Sequence, residues 1–384
     1  MNRALTVLVA VLVSVLIAAG VLIFVFVLPP FLEVPVGNLA LETVHDGLNT
    51  PVAFAFAPDG RIFYNELSVG GIRIIKNGTV LSTPFVALNV VSQAEMGLLG
   101  LALDPDFTTE PFVYVFYTFQ DADGTFNRIS RFPANGDVAG LEEILLNRLP
   151  ANRFHNGGRL GFGPDGMLYA SLGDTGDASQ SQDPQTLPGK ILRMHRNGTV
   201  PGDNPFSASY SYLYGIRNVF GFDFSPTGTL FFTENGPLGD DEVNLGLRGE
   251  NYGWPVVQGP SSDPRFVRPL AVFTPAIAPT GVGFYTGDRL GPGHTQIPYF
   301  GSWNFGRLYR LVEDAETDQG FRAELVLDPQ GGGVLDVVNG PDGYLYVSFP
   351  DRIARVIPES IQSMTPTLGP LEVVIPGRRT GRPT

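Results

Sequence analysis

From residue 39 onward, apolar positions gather into short runs, and a tight turn carrying Pro, Asp and Gly separates one run from the next. The unit this pattern predicts is a strand, a Pro-Asp-Gly turn and a second strand rich in aromatic and β-branched residues. Copies are read at Phe54 to Tyr64 around Pro58-Asp59-Gly60, at Leu101 to Tyr117 around Asp104-Pro105-Asp106, and at Leu160 to Tyr169 around Pro164-Asp165-Gly166. Two more lie at Phe222 to Phe232 around Pro226-Thr227-Gly228 and at Gly340 to Val347 around Pro341-Asp342-Gly343. A sixth, degraded copy is read over Ile297 to Gly301 and Gly306 to Leu311. Six units across residues 39–358, about 53 residues apiece, predict an all-β fold, a six-bladed β-propeller of four-stranded blades. Leu39 to Val44 is expected to complete the last blade and close the ring, which leaves few open sheet edges.

A different pattern stands in front of the repeats. Ala4 to Leu28 contains no charged residue, with Arg3 before it and Pro29-Pro30 after it. A run of roughly 20 apolar residues is enough to cross a bilayer as a helix. The expectation is one N-terminal transmembrane helix over residues 1–28, with its positive flank in the cytoplasm and the rest of the chain extracytoplasmic. A cleaved signal peptide, with Ala18-Ala19-Gly20 as the processing region, is the alternative; the run to Leu28 exceeds a usual signal-peptide core and favours the anchor. Residues 29–38 read as a linker, 39–358 as the propeller domain, and 359–384, with Pro366, Pro370, Pro376, Arg378, Arg379 and Arg382, as a flexible tail.

Composition sharpens this picture. Gly (47) and Pro (33) are abundant in the 384 residues and only 16% are charged, as many short strands joined by tight turns require. With 43% hydrophobic residues the chain can bury a sizeable core. A net charge of −13 argues against nucleic acid and is compatible with a divalent cation. The absence of cysteine excludes disulfides, thiolate metal sites and a cysteine nucleophile.

In a propeller, the loops entering the inner strands gather at one end of the central channel and carry the variable chemistry. Four such segments stand out: Glu95 to Gly100; Phe154 to Leu160 with Gly173-Asp174; Tyr214 to Asn218; and Thr233 to Pro237 with Asp240 to Asn244. His155, one of four histidines, sits just before a glycine pair and a strand. A base that titrates near neutral pH suits such a place. His45, His195 and His294 show no partner pattern. From the residues alone, Arg217 would pair with a carboxylate between blades, and Gly236-Pro237 would be a turn. Glu234, Asp240, Asp241 and Glu242 read as a solvated acidic loop, with a second calcium site at Asp241 and Glu242 as the alternative.

Together these segments resemble one known family, the soluble PQQ-dependent glucose and aldose sugar dehydrogenases, also called the glucose/sorbosone dehydrogenase family. The matching text includes Gly97-Leu98-Leu99-Gly100-Leu101-Ala102 with Asp104-Pro105-Asp106-Phe107, His155-Asn156-Gly157-Gly158-Arg159-Leu160 and Leu187-Pro188-Gly189-Lys190-Ile191-Leu192-Arg193. It continues through Asp203-Asn204-Pro205-Phe206, Gly215-Ile216-Arg217-Asn218, Gly236-Pro237 with Asp241-Glu242-Val243-Asn244, Asn251-Tyr252-Gly253-Trp254-Pro255 and Ala278-Pro279-Thr280-Gly281. The matches keep family order over residues 41–357, and six-bladed propellers are what this family forms.

The resemblance implies oxidation of the C1 hydroxyl of an aldose sugar to the lactone, with PQQ as hydride acceptor, calcium beside it, and an external electron acceptor. His155 matches the family's general base, and Arg217 the arginine that polarises the quinone carbonyl, a charge placed where an oxyanion develops. Asn218 matches a neighbouring cofactor contact, and Glu95 falls where the family lines its pocket with a polar group. Gly236 and Pro237 match the backbone carbonyls that hold calcium. The family's lysine falls near Ser302-Trp303-Asn304-Phe305, where this chain offers Asn304, and its arginine pair aligns with residues 331–336, which contain no arginine. Three cofactor carboxylates call for cations, so Arg289, Arg307 or Lys190 would have to replace them. The loss leaves a second reading, an extracellular propeller binding module without PQQ. A calcium-dependent propeller hydrolase is a third, and needs side-chain metal ligands at the channel centre.

Overall fold

The computed structural model describes residues 37–329 and 332–359, together with a short antiparallel pairing of Leu16–Ile17 with Gly20–Val21. Apart from those two dipeptides, the helix expected over residues 1–28 lies outside the described residues. So do the linker before Gly37 and the tail after Glu359. No described helix is long and apolar enough to cross a membrane.

Six antiparallel sheets follow one another along the chain. Their innermost strands are Phe54–Phe56, Leu98–Leu103, Leu160–Phe162, Val219–Phe224, Pro279–Tyr285 and Asp336–Asn339, which open the first to the sixth blade in that order. The alternation along each strand explains why the sheets stand side by side. In Phe112–Asp121 of the second blade, Val113, Val115 and Tyr117 pack with Phe63 and Ile72 of the first blade, while Tyr114 and Phe116 pack with Leu160 and Leu168 of the third. Successive side chains of a strand point to opposite faces, so a strand that is apolar at every position is buried on both. Each of the six blade interfaces has such a cluster, including the one between the sixth and first blades, where Tyr346 and Ile353 meet Phe54 and Tyr64.

The ring closes as the sequence pattern predicts. Leu39–Asp46 pairs antiparallel with Arg352–Pro358, with Leu41 opposite Val356, so the N-terminal strand is the outer strand of the sixth blade. One expectation is corrected. The degraded repeat at 297–311 covers the second and third strands of the fifth blade, Ile297–Ser302 and Leu308–Glu313, one strand out of phase with the other copies. The true first pair is Pro279–Tyr285 with Ile297–Ser302. Its connection, 286–296, is no tight turn; the Tyr285 hydroxyl accepts from the Arg289 and Leu290 N–H groups to hold it.

The blade order also explains a contact across the channel. Arg159, at the entrance to the third blade, donates from Nη1 to Asp336 Oδ1 of the sixth blade at 2.6 Å. In a ring of six these blades stand opposite each other, so the ion pair bridges the central channel. Asp336 is fully buried and Arg159 is 14% exposed. Asp336 Oδ2 also accepts from the Phe54 N–H of the first blade at 3.3 Å. Burial raises the Asp336 pKa, with Arg159 opposing the rise. Removing one partner of a buried pair strands the other charge. Arg159→Met is therefore expected to lower unfolding free energy by about 3–5 kcal/mol in a urea titration, and Arg159→Met with Asp336→Asn to recover most of that loss.

Candidate active site

Antiparallel order within a blade sets which loops share an end. First strands begin, and second strands finish, at the same end of the channel. The entry segments carrying Glu95, His155 and Arg217-Asn218 therefore meet the second-to-third-strand loops carrying Asp174, Asn235-Gly236 and Trp303-Asn304. Four of these groups converge on His155 and its neighbours.

His155 has a φ of 61°, a conformation that non-glycine residues seldom adopt. Two contacts hold it there. Glu95 Oε2 accepts its backbone N–H at 2.6 Å, and its carbonyl lies so close to Gly173 that a Cβ on Gly173 would collide with it. The imidazole is fixed by Asp174, whose Oδ1 lies 2.7 Å from Nδ1. Burial works against the Asp174 carboxylate, but hydrogen bonds from His155, the Gly176 N–H and Trp254 outweigh it and hold its pKa below the usual aspartate value. An ionised carboxylate only accepts, so Nδ1 carries a proton, and in the neutral imidazole Nε2 is then the acceptor.

Trp254 ties this pair to Arg217. Its indole N–H donates to Asp174 Oδ2 at 2.9 Å, and the Arg217 guanidinium lies over its ring at 5.5 Å. Trp254 belongs to the excursion 247–270 between the third and fourth strands of the fourth blade, and Gln182 anchors it by donating to the Trp254 carbonyl at 2.7 Å. Arg217 donates from Nη1 to the carbonyls of Asn235 and Gly236 at 2.9 and 3.0 Å, and not to a carboxylate across blades. Its Nε is buried and has no hydrogen-bond partner among the described residues. Burial lowers the Arg217 pKa, against the pull of Asp174, Glu95 and Glu234. Asn218 accepts the Gly157 N–H at 3.1 Å and turns its amide nitrogen toward Glu95 at 3.4 Å.

Glu95 and Asn218 line a cavity of about 300 Å³ together with Asn156, Gly157, Ala278, Trp303 and Leu335 among others, whereas His155, Asp174, Arg217 and Trp254 stand behind that lining. Asn304 is not one of its lining residues; its amide donates to the Ala276 carbonyl at 3.0 Å. The acidic loop is not arranged as a second metal site either. Asp241 uses both oxygens to accept backbone N–H groups, of Gly236 at 2.8 Å and Ala278 at 2.7 Å. Among the described residues no group of three or more His, Asp or Glu side chains is placed to hold a metal ion. Nor is the loop simply solvated: Glu234 and Glu242 are buried, directly opposite each other on paired strands, and Glu234 accepts the Arg217 backbone N–H at 2.6 Å.

Sequence reasoning missed two residues of this arrangement. Asp174 lay in the stretch that drew attention to His155, and Trp254 lay in a motif read only as a mark of the fold. An acidic residue following a glycine at the end of a second strand was the available signal for the first. Trp254 had none, because a long excursion brings it to the site.

The profile of the family described as Glucose / Sorbosone dehydrogenase matches residues 48–357. The quinoprotein glucose dehydrogenase B of Acinetobacter calcoaceticus is 35% identical over 259 residues, covering 59% of this chain and 54% of that protein. The aldose sugar dehydrogenase YliI of Escherichia coli is 29% identical over 337 residues, covering 80% of this chain and 89% of that protein. Among solved structures, a PQQ-bound aldose sugar dehydrogenase from Streptomyces coelicolor superposes with a TM-score of 0.73 at 30% identity, over 84% of this chain and 99% of that one.

The buried glutamates generate a pH prediction. Burial raises the Glu242 pKa to about 7 and pushes Glu234 well above the ordinary value, each against a like-charged neighbour. Glu242 then keeps its proton in the folded chain where the unfolded chain, at 4.5, has lost it. The folded state binds more protons over that interval, so the contribution of Glu242 to stability falls as pH rises from 4.5 to about 7. Glu242→Gln is expected to flatten this slope and to be more stable than the parent at pH 8 by on the order of 1–3 kcal/mol in denaturant titrations.

Proposed function

The chain belongs to the glucose/sorbosone dehydrogenase family, and on that premise we propose that it oxidises the C1 hydroxyl of an aldose sugar to the lactone, with His155 as general base. The observation that carries this reading is the His155–Asp174 pair, with His155 next in sequence to the cavity-lining Asn156 and Gly157. Oxidation at C1 removes a proton from the hydroxyl and a hydride from carbon. The free lone pair on Nε2 takes the proton, and the Asp174 carboxylate stabilises the imidazolium that results. Trp254 keeps the carboxylate in line, and Glu95 keeps the strained His155 backbone in place. Arg217 supplies positive charge and a donor not yet paired, next to the position where negative charge develops on oxygen.

The hydride needs a two-electron acceptor, and in the Streptomyces relative the bound group is PQQ. The family and its PQQ-bound member support PQQ-type sugar oxidation. The cavity of this chain, however, does not fit the three carboxylates of that group. Among the described residues that line it there is no lysine or arginine, and its one charged lining group is the carboxylate of Glu95. The cations that sequence offered as substitutes are engaged elsewhere. Lys190 is buried and donates to the carbonyls of Gln180, Ser181 and Pro188, and burial lowers its pKa to about 7. Arg307 bonds Asp328, and Arg289 packs over Tyr344. At the calcium position the Gly236 carbonyl accepts from Arg217 Nη1 with one of its two lone pairs, and the other stays available to a hard cation.

We also assign the propeller to the outer side of the cell membrane, held by residues 1–28. The support is the uncharged run Ala4 to Leu28 behind Arg3. Cell fractionation should find the chain in the membrane pellet after a carbonate wash. A soluble exported form lacking this run would point to a signal peptide instead.

Purified protein assayed for dye reduction with a panel of aldoses tests the activity. His155→Ala is expected to lower turnover by about 10²–10⁴-fold, and Asp174→Asn by about 10²-fold or more through loss of the imidazole tautomer. Full activity in His155→Ala would remove it from the base role. No oxidation of any aldose with any quinone supplied would sink the dehydrogenase reading.

A further inference from the structure

The wall of the cavity formed by the fifth and sixth blades is apolar by construction. Trp303 lies with its ring against Gly333, so close that a Cβ on Gly333 would collide with the indole. A glycine at this position is what lets the ring settle there. Beside it Leu335 is buried, at 4% exposure, while Trp303 stays 48% exposed and lines the cavity. The polar groups nearby are satisfied by the protein itself. Thr280 donates its hydroxyl to the Val334 carbonyl at 2.7 Å, and Asn304 donates to the Ala276 carbonyl. Glu95 brings negative charge to the opposite side. Among the described residues that line the cavity there is no cation, and Arg217, behind the lining, is occupied by two carbonyls.

We propose that this cavity takes an uncharged planar quinone, stacked on Trp303, in place of a tricarboxylate. Trp303 supplies a flat apolar platform for a conjugated ring system, and Leu335 and Ala278 supply further apolar walls. A tricarboxylate in the same space meets no cation along this wall and faces Glu95, and carboxylates removed from water without partners are strongly disfavoured. That the ligand is a quinone rests on the dehydrogenase reading; that it is uncharged rests on the wall alone.

Binding can be read without turnover, because the chain has only two tryptophans: Trp303 lines the cavity, and Trp254 bonds Asp174, the partner of His155, which precedes the lining residues Asn156 and Gly157. The full chain is titrated with PQQ plus calcium, with the trimethyl ester of PQQ, and with menadione, following the quenching of tryptophan fluorescence. The ester and menadione are expected to bind saturably, and PQQ to bind at least about tenfold more weakly than its ester. Trp303→Ala should weaken the ester by about tenfold or more. Asn304→Lys and Leu335→Arg should each shift preference toward PQQ. Leu335 is buried, so if Leu335→Arg does not fold, the Trp303→Ala and Asn304→Lys variants, away from the core, carry the comparison. PQQ binding as tightly as its ester in the parent protein overturns the proposal, and so does the lack of saturable binding by either neutral probe. Failure of this binding order leaves sugar oxidation to its own assay. Normal binding with no oxidation of any aldose overturns the dehydrogenase reading and leaves the ligand class standing.

Discussion

A sheet that is apolar on both faces is stable only between two neighbours, and six such sheets satisfy that requirement together only as a closed ring. Closure depends on one pairing between the ends of the domain, Leu39–Asp46 with Arg352–Pro358. Without that strand the sixth blade lacks its outer edge, and backbone donors and acceptors of Arg352–Pro358 lose their partners. Every other feature rests on this geometry, because it fixes which loops share the mouth of the channel and which blades stand opposite each other.

The site uses the rigidity of the ring to hold strained and costly arrangements. His155 stands in a left-handed conformation because Glu95, Gly173 and Asp174, from two different blades and their connections, leave it no other position. Asp174 stays ionised although burial opposes it, since three donors converge on its carboxylate. Arg159 and Asp336 place opposite charges across the channel axis. Such groups persist where the surrounding structure over-determines them, and they gather where chemistry is done.

The two sides of the cavity have different characters. The side built from the second, third and fourth blades presents Glu95, Asn156, Gly157, Asn218 and Asn235, with His155, Asp174 and Arg217 behind them. The side built from the fifth and sixth blades has an indole, a leucine and glycines, with no basic side chain among the described lining residues. In the proposed reaction the groups behind the first side take a proton from a sugar hydroxyl, and the second side selects the acceptor beside it. The lack of basic side chains among the described lining residues sets this chain apart from what the family resemblance implies.

Much of this was legible in the chain itself. Alternating apolar strands and Pro-Asp-Gly turns are local signals, so they disclosed the blades, their number and the closing strand, and they failed only in the fifth blade, where a long loop takes the place of the tight turn. His155 and Arg217 were also legible, because they sit in contiguous motifs. What the sequence could not convey were relations between distant segments. The bond from Trp254 to Asp174 joins residues 80 positions apart, and Arg159 meets Asp336 over 177. Asn304 looked like a cavity residue from its place in the chain, yet its backbone turns it onto Ala276 and presents Trp303 instead. Sequence determined which residues enter the channel mouth; only the tertiary structure decided which of them face one another there, because side-chain direction at a loop is set by packing between blades and not by local pattern.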